Sequence, residues 1–131
     1  MTEVAEPPVI LPFPSTSLVE EPFLIFDGGS VLLRLVFFSD GDQRVWEALF
    51  QRSRGFIHRA EPYCTAWHYE NSYDVLAVIE ESPWVAELEA AGGEAGGISA
   101  GRHFVLTIDS WGCLEVVASG IRVSWAAPAG I

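Results

Sequence analysis

The stretch that decides the fold is residues 102–118, RHFVLTIDSWGCLEVVA, near the end of a 131-residue chain. Two apolar runs flank a turn signal, because Asp109 and Gly112 suit the first and last positions of a type I turn. Gly112 tolerates a positive φ, which gives a three-residue hairpin loop with a bulge. The sequence therefore predicts an antiparallel hairpin with Trp111 at its tip.

The register of this hairpin decides which side chains are buried. With the bulged turn, three apolar pairs fall on one face: Ile108 lies opposite Leu114, Leu106 opposite Val116 and Phe104 opposite Ala118. A one-residue slip would move every side chain to the other face, so this clean sorting favours the bulged turn. The other face receives His103, Val105, Thr107, Cys113, Glu115 and Val117.

A third strand is expected beside this hairpin. Ser119-Gly120 is a plausible two-residue connection, which sets Val123 opposite Val116. Glu115 then belongs to a polar patch with Thr107, Ser124, His103 and Arg122. An uncovered patch is either a binding surface or an ordinary solvated face. If a helix covers the patch, Glu115 needs a buried partner.

The rest of the chain predicts more strands and one helix. Five prolines in residues 1–22 indicate an extended strap with no helix and no central strand, followed by a single domain over residues 23–131. Strands are expected at 23–26, 31–38, 55–59, 63–69 and 73–79, with 31–38 buried and central. Residues 44–51 fit a strand or a helix, and their position after a turn slightly favours a strand.

The helix is expected at Pro83–Ala91, where Ser82 suits the N-cap and proline the first helical position. Its apolar stripe comprises Trp84, Val85 and Leu88. A glycine-rich loop follows at 91–101. We therefore predict the α+β class, with a mainly antiparallel twisted sheet or half-barrel of six to eight strands and one short helix packed on it.

Composition restricts the classes of function. The formal charge is −11 and the chain contains no lysine. This balance disfavours nucleic-acid binding and suits a basic protein partner, although an ordinary solvated acidic surface is the more common explanation. Schiff-base chemistry and phosphate-binding P-loops both need lysine, so the absence of lysine excludes these two classes of function. The longest dense apolar run, residues 31–38, is too short for a membrane helix. With no signal-peptide pattern, we expect a soluble cytoplasmic protein.

Two thiolates and two imidazoles form a ligand set that zinc accepts, and the chain offers Cys64, His68, His103 and Cys113. In an extended strand Cys64 and His68 would lie about 13 Å apart. The hairpin register also places His103 opposite Ser119, far from Cys113. We therefore expect neither a metal site nor a cofactor. Cys64 with His68 or His58 is a possible nucleophile and base, but no nucleophile motif surrounds either cysteine. The chain is more readily interpreted as non-enzymatic.

Candidate binding residues form two groups. A small-ligand cavity would be lined by Trp46, Trp67, Tyr69 and Arg59. The polar patch contributes His103, Glu115 and Arg122. Trp111 either packs on a neighbouring segment, which we favour, or anchors a partner.

Several segments resemble a recurring pattern in small uncharacterised bacterial proteins. They are GFIHRAE (55–61), YDVL (73–76), SPW (82–84) and RHF…DSWGCLEVVA (102–118). The resemblance spans residues 30–125, implies a bacterial protein of unknown role and carries over no catalytic residue.

The leading hypothesis from the sequence is a non-enzymatic binding protein for another macromolecule, such as an immunity-type protein that neutralises a basic toxin. A small-ligand-binding half-barrel is the alternative. An enzyme using Cys64 and His68 is the third.

Overall fold

The computed structural model describes residues 2–4, 6–92 and 101–126. The strands are β1 (Thr2–Val4), β2 (Val9–Ile10), β3 (Phe23–Asp27), β4 (Ser30–Ser39), β5 (Asp42–Gln51), β6 (Gly55–Arg59), β7 (Val75–Ile79), β8 (Arg102–Ile108), β9 (Gly112–Ala118) and β10 (Gly120–Ala126). The helices are α1 (Ala66–Asn71) and α2 (Pro83–Ala91), with short 3-10 turns at Ser15–Ser17 and Glu61–Tyr63.

These strands form two open antiparallel sheets rather than a closed barrel. The first sheet has the order β1-β10-β5-β4-β3, and the second has the order β2-β7-β8-β9-β6. The predicted α+β class, with mainly antiparallel strands and few helices, is confirmed. None of the described helices is long and apolar enough to cross a membrane.

The core lies between the two sheets, where their apolar faces meet. As predicted, β4 is a central strand of the first sheet. Residues 44–51 belong to strand β5, which points Trp46, Ala48 and Phe50 into the core. A fully buried aromatic such as Phe50 contributes roughly 1.5–3 kcal/mol to the burial term.

The hairpin of β8 and β9 forms with a register that differs from the prediction by two residues. Leu106 pairs with Leu114, not with Val116, because the loop is Asp109–Trp111. Ser110 takes the left-handed conformation (φ 61°), and the Trp111 N–H bonds to the carbonyl of Ile108. Because side chains alternate with a period of two, a shift of two residues leaves each side chain on its predicted face of the sheet. The predicted inner face therefore stays in the core: Phe104, Leu106, Ile108, Leu114, Val116 and Ala118.

The predicted position of the third strand is wrong, because β10 pairs with β5 in the first sheet. The free edge of β9 is taken instead by β6, with Ile57 opposite Glu115. At the corner, the Ser119 N–H donates to the Gln51 carbonyl at 2.9 Å, which directs the chain to the other sheet. Val123 still reaches the core, but from the opposite sheet.

The predicted strand over residues 63–69 is also wrong. Pro62 starts a 3-10 turn, and Thr65 then caps helix α1. The helix α2 is confirmed with its predicted bounds, and the Ser82 hydroxyl accepts the Val85 N–H at 3.2 Å. Most of the predicted loop at 91–101 falls on residues 93–100, outside the described residues.

The N-terminal segment contributes one short edge strand to each sheet. Strand β1 pairs with β10, and β2 pairs with β7. The opposite edges of the two sheets are β3 and β6.

Candidate functional site

A buried polar centre lies on the outer face of the second sheet, around Glu115 of β9. Two segments cover this face: the stretch from the Glu61–Tyr63 turn through α1, and helix α2. Glu115 is only 7% exposed as a result. The sequence predicts that a covered Glu115 needs a buried hydrogen-bond partner, and Glu115 is covered in the structure.

Two histidines provide that partner, one to each carboxylate oxygen. His103 Nε2 lies 2.7 Å from Oε1, and His68 Nε2 lies 3.1 Å from Oε2. Arg59 Nε is 3.8 Å from Oε2, at the exposed rim. An ionised carboxylate only accepts hydrogen bonds, so both imidazoles donate from Nε2.

The start of α1 fixes the position and the tautomer of His68. The backbone N–H of Thr65 donates to His68 Nδ1 at 2.9 Å, and the Thr65 hydroxyl is also 2.9 Å from that nitrogen. The Ser72 hydroxyl donates to the His68 carbonyl at 2.9 Å. Because Nδ1 accepts a backbone proton, the ring proton resides on Nε2, which faces Glu115.

The start of α2 holds His103 in the same way. The Ser82 hydroxyl lies 2.7 Å from His103 Nδ1 while its oxygen also caps the helix by accepting the Val85 N–H. Trp84 packs edge-on against the imidazole, with ring centroids 5.1 Å apart. Each helix that covers the second sheet thus positions one histidine against the same carboxylate.

The surroundings shift the pKa of Glu115 and the pKa of Cys113 in opposite directions. The hydrogen bond from His103, helped by His68 and opposed by burial, lowers the pKa of Glu115 to about 2. Burial, helped by contact with the Cys64 thiol, raises the pKa of Cys113 to about 12. The centre therefore contains an ionised carboxylate beside a protonated thiol at neutral pH.

The expectation that histidine and thiol lie too far apart to cooperate is wrong. Ligand atoms of His68, Cys113 and Glu115 all lie within 4.8 Å of one another. The expectation failed because residues 60–71 form a turn and a helix, which fold His68 back over β9. His103 pairs with Val117 in the hairpin, at the other end from Cys113, and reaches the centre through Glu115.

A nucleophile and base pair is not formed by Cys64 and His68. The Cys64 thiol faces the carbonyls of Arg59 at 3.7 Å and Ala60 at 3.6 Å. Both ring nitrogens of His68 are engaged by Thr65 and Glu115. The arrangement therefore lacks the hydrogen bond by which a base activates a thiol.

The other candidate residues are dispersed. Trp46 is buried between the sheets, whereas Trp67 and Tyr69 are exposed on α1, so they do not line a cavity with Arg59. Arg122 lies on β10 in the first sheet, away from Glu115. Trp111 packs on a neighbouring segment, stacked on His58 at 4.1 Å.

Sequence reasoning missed the roles of His68, Thr65 and Ser82 in this centre. The available signal was the spacing Thr65-x-x-His68, which places a polar side chain three residues after a good N-cap residue. The sequence predicts Ser82 as a helix cap but gives no signal for its contact with His103.

No protein-family model, curated protein or solved structure matches this chain.

Proposed function

We propose that this chain is a non-enzymatic binding protein whose partner is a basic polypeptide that docks along β3 and β6. A protein that neutralises a basic toxin, as immunity proteins do, is one function of this kind. The bonding of the buried histidines supports a non-enzymatic role, since both are used to hold Glu115.

The observation that carries the proposal is a pair of open strand edges on one side of the molecule. In the described part of the chain, no strand pairs with the outer edge of β3 or β6. Both strands are five residues long, and Phe26 contacts Phe56 between them with ring centroids 5.6 Å apart. We call this side the open edge. Its exposed apolar side chains are Phe23, Ile25, Phe26, Phe56 and Ile57.

The opposite edges of the two sheets, β1 and β2, have features that prevent the addition of a further strand. The edge strands β1 and β2 have three and two residues. Pro7 and Pro8 precede β2, and Pro12 follows it. Short strands and prolines discourage further pairing, whereas an apolar five-residue edge invites it.

Charge supports the chemistry of the partner. The chain carries 18 acidic side chains against seven arginines. This excess of negative charge repels a second copy and attracts a basic chain, mainly by raising the rate of encounter. The open edge supplies backbone hydrogen bonds and apolar contacts, and the net negative charge of the chain supplies the selection by charge.

The test is titration of the isotope-labelled protein with a synthetic peptide of alternating valine and arginine, followed by backbone amide NMR. We expect the largest shifts at β3 and β6, weaker binding as salt is added, and no binding of a matched valine–glutamate peptide.

Two variants with the same substitution localise the interaction. Ile25→Lys places a charge on the open edge, and Ile10→Lys places the same charge on the protected edge strand β2. Ile25→Lys should weaken binding roughly tenfold through lost apolar contact and repulsion, and Ile10→Lys should not. Equal effects of both variants, shifts confined to other strands, or self-association through β3 without peptide binding would each overturn the proposal.

A further inference from the structure

We propose that His68, Cys113 and Glu115 form a zinc-binding site beneath α1, separate from the open edge. Imidazole, thiolate and carboxylate are all zinc ligands. All three residues are buried, and their ligand atoms come from two different elements, α1 and β9.

The separations suit a tetrahedral ion. The three ligand atoms lie within 4.8 Å of one another, and His68 Nε2 is 3.1 Å from Glu115 Oε2. Zinc bonds of 2.0–2.3 Å place neighbouring ligand atoms roughly 3.3–3.8 Å apart. Small side-chain movements would therefore complete the site. The thiol of Cys64 touches Cys113 but lies outside this group, which leaves the fourth position to water.

The charges balance at this position. The Glu115 carboxylate and a Cys113 thiolate together cancel the two positive charges of zinc, so the buried site is neutral. Binding replaces the Cys113 thiol proton, which is released to solvent. The Arg59 side chain is 44% exposed, so its guanidinium can turn into solvent when the cation enters.

The hydroxyl of Thr65 allows His68 to become a ligand. Without metal, Nε2 carries the ring proton and donates to Glu115. When zinc takes the Nε2 lone pair, the ring proton moves to Nδ1. The Thr65 hydroxyl, 2.9 Å from Nδ1, accepts it there. A second partner that orients a metal-bound imidazole is usual in zinc sites. When the ring proton moves to Nδ1, the backbone N–H of Thr65 loses its hydrogen-bond acceptor, and this loss weakens zinc binding.

His103 acts as a positioning residue for Glu115. Its Nε2 donates to Oε1 at 2.7 Å, which leaves Oε2 directed toward His68. Ser82 in turn holds His103. The carboxylate therefore keeps one oxygen for orientation and offers the other to the metal.

The primary test uses the metal-free wild-type protein titrated with Co²⁺ and with Zn²⁺. We expect one equivalent of Co²⁺ to produce a thiolate-to-cobalt charge-transfer band with tetrahedral ligand-field bands, and Zn²⁺ to displace it. X-ray absorption on the zinc-loaded protein should show one sulfur and several nitrogen or oxygen neighbours. Absence of the charge-transfer band, or a zinc shell without sulfur, would overturn the proposal without needing any variant.

Variants then assign the ligands. Cys113→Ser should abolish the charge-transfer band, while His58→Gln, which changes a histidine outside the centre, should leave it intact. Thr65→Val should weaken zinc binding by about 10–100-fold, and Thr65→Ser, which retains the hydroxyl, should bind like wild type. A band that persists in Cys113→Ser, or Thr65 variants that bind zinc alike, would contradict the site described.

Discussion

The substitution Glu115→Gln, followed across pH, probes the buried centre most sensitively. The wild-type carboxyl has a pKa of about 2 instead of 4.5, mainly because His103 donates a hydrogen bond to it. The groups that face it are His68, His103, Arg59 and Cys113. A depression of this size corresponds to a contribution on the order of 3 kcal/mol to the free energy of unfolding.

The sign of the pH dependence follows from the lowered pKa. The contribution is complete above the unfolded-state pKa near 4.5 and is lost as the pH falls through the folded-state value of about 2. Glutamine keeps the shape of the side chain but does not titrate. Its oxygen can accept from His68, whereas its amide suits His103 only if that ring moves its proton to Nδ1.

The assay is urea denaturation of wild type and Glu115→Gln at a series of pH values, with a chelator present to keep metal out. The other acidic residues are common to both proteins, so their titration cancels in the difference. Wild type should be more stable by up to about 3 kcal/mol near pH 6, and the gap should shrink steadily between pH 4.5 and 2. A gap that stays constant over this range would refute the assigned hydrogen bonding.

Two further predictions concern the hairpin and the thiols. Gly112 has φ 119°, and a Cβ there would overlap the Arg59 carbonyl, so Gly112→Ala should cost at least about 3 kcal/mol in chemical denaturation. Gly41→Ala, at φ 83° with open space around it, should cost only about 1–2 kcal/mol, and equal losses would contradict the close approach of β6. In the native protein at pH 8, a thiol reagent should modify Cys64 and spare Cys113, whose pKa is raised to about 12 by burial. Two thiols that react at the same rate before unfolding would contradict this burial.

The faces of the strands could be predicted because side chains alternate with a period of two. The sequence placed Leu106 and Leu114 on the buried side and Glu115 on the other, and an error of two residues in the register changed neither assignment. It also predicted that a covered Glu115 would need a partner.

The second neighbour of β9, on the edge that β8 leaves free, could not be predicted from local pattern. The competition between β6 and β10 for its free edge is decided by contacts between segments about 60 residues apart in the chain, such as Ile57 with Glu115. Both candidate strands are apolar, and alternation alone does not rank them. The corner at Ser119, bonded to Gln51, is a feature of the assembled sheets.

The convergence of His68 on Glu115 could not be predicted, because the pattern of residues 63–69 predicts a strand and an extended segment would not fold back over β9. Pro62 and Thr65 favour a turn followed by a capped helix, whereas the aromatic residues of the segment favour a strand. A helix of only six residues also leaves little periodicity to detect. Prediction of the site therefore required the correct type for one short element, and the sequence pattern indicates the wrong one.

The most direct test of the buried centre is the protonation of its two imidazoles, observed by long-range proton–nitrogen NMR on metal-free protein at neutral pH. We predict that His68 and His103 both carry a proton on Nε2, that Nδ1 of His68 accepts the Thr65 N–H, and that both Nε2 protons show couplings or contacts to Glu115. A ring without a proton on Nε2, or a histidine that exchanges freely between tautomers, would contradict the arrangement of two histidines around one carboxylate.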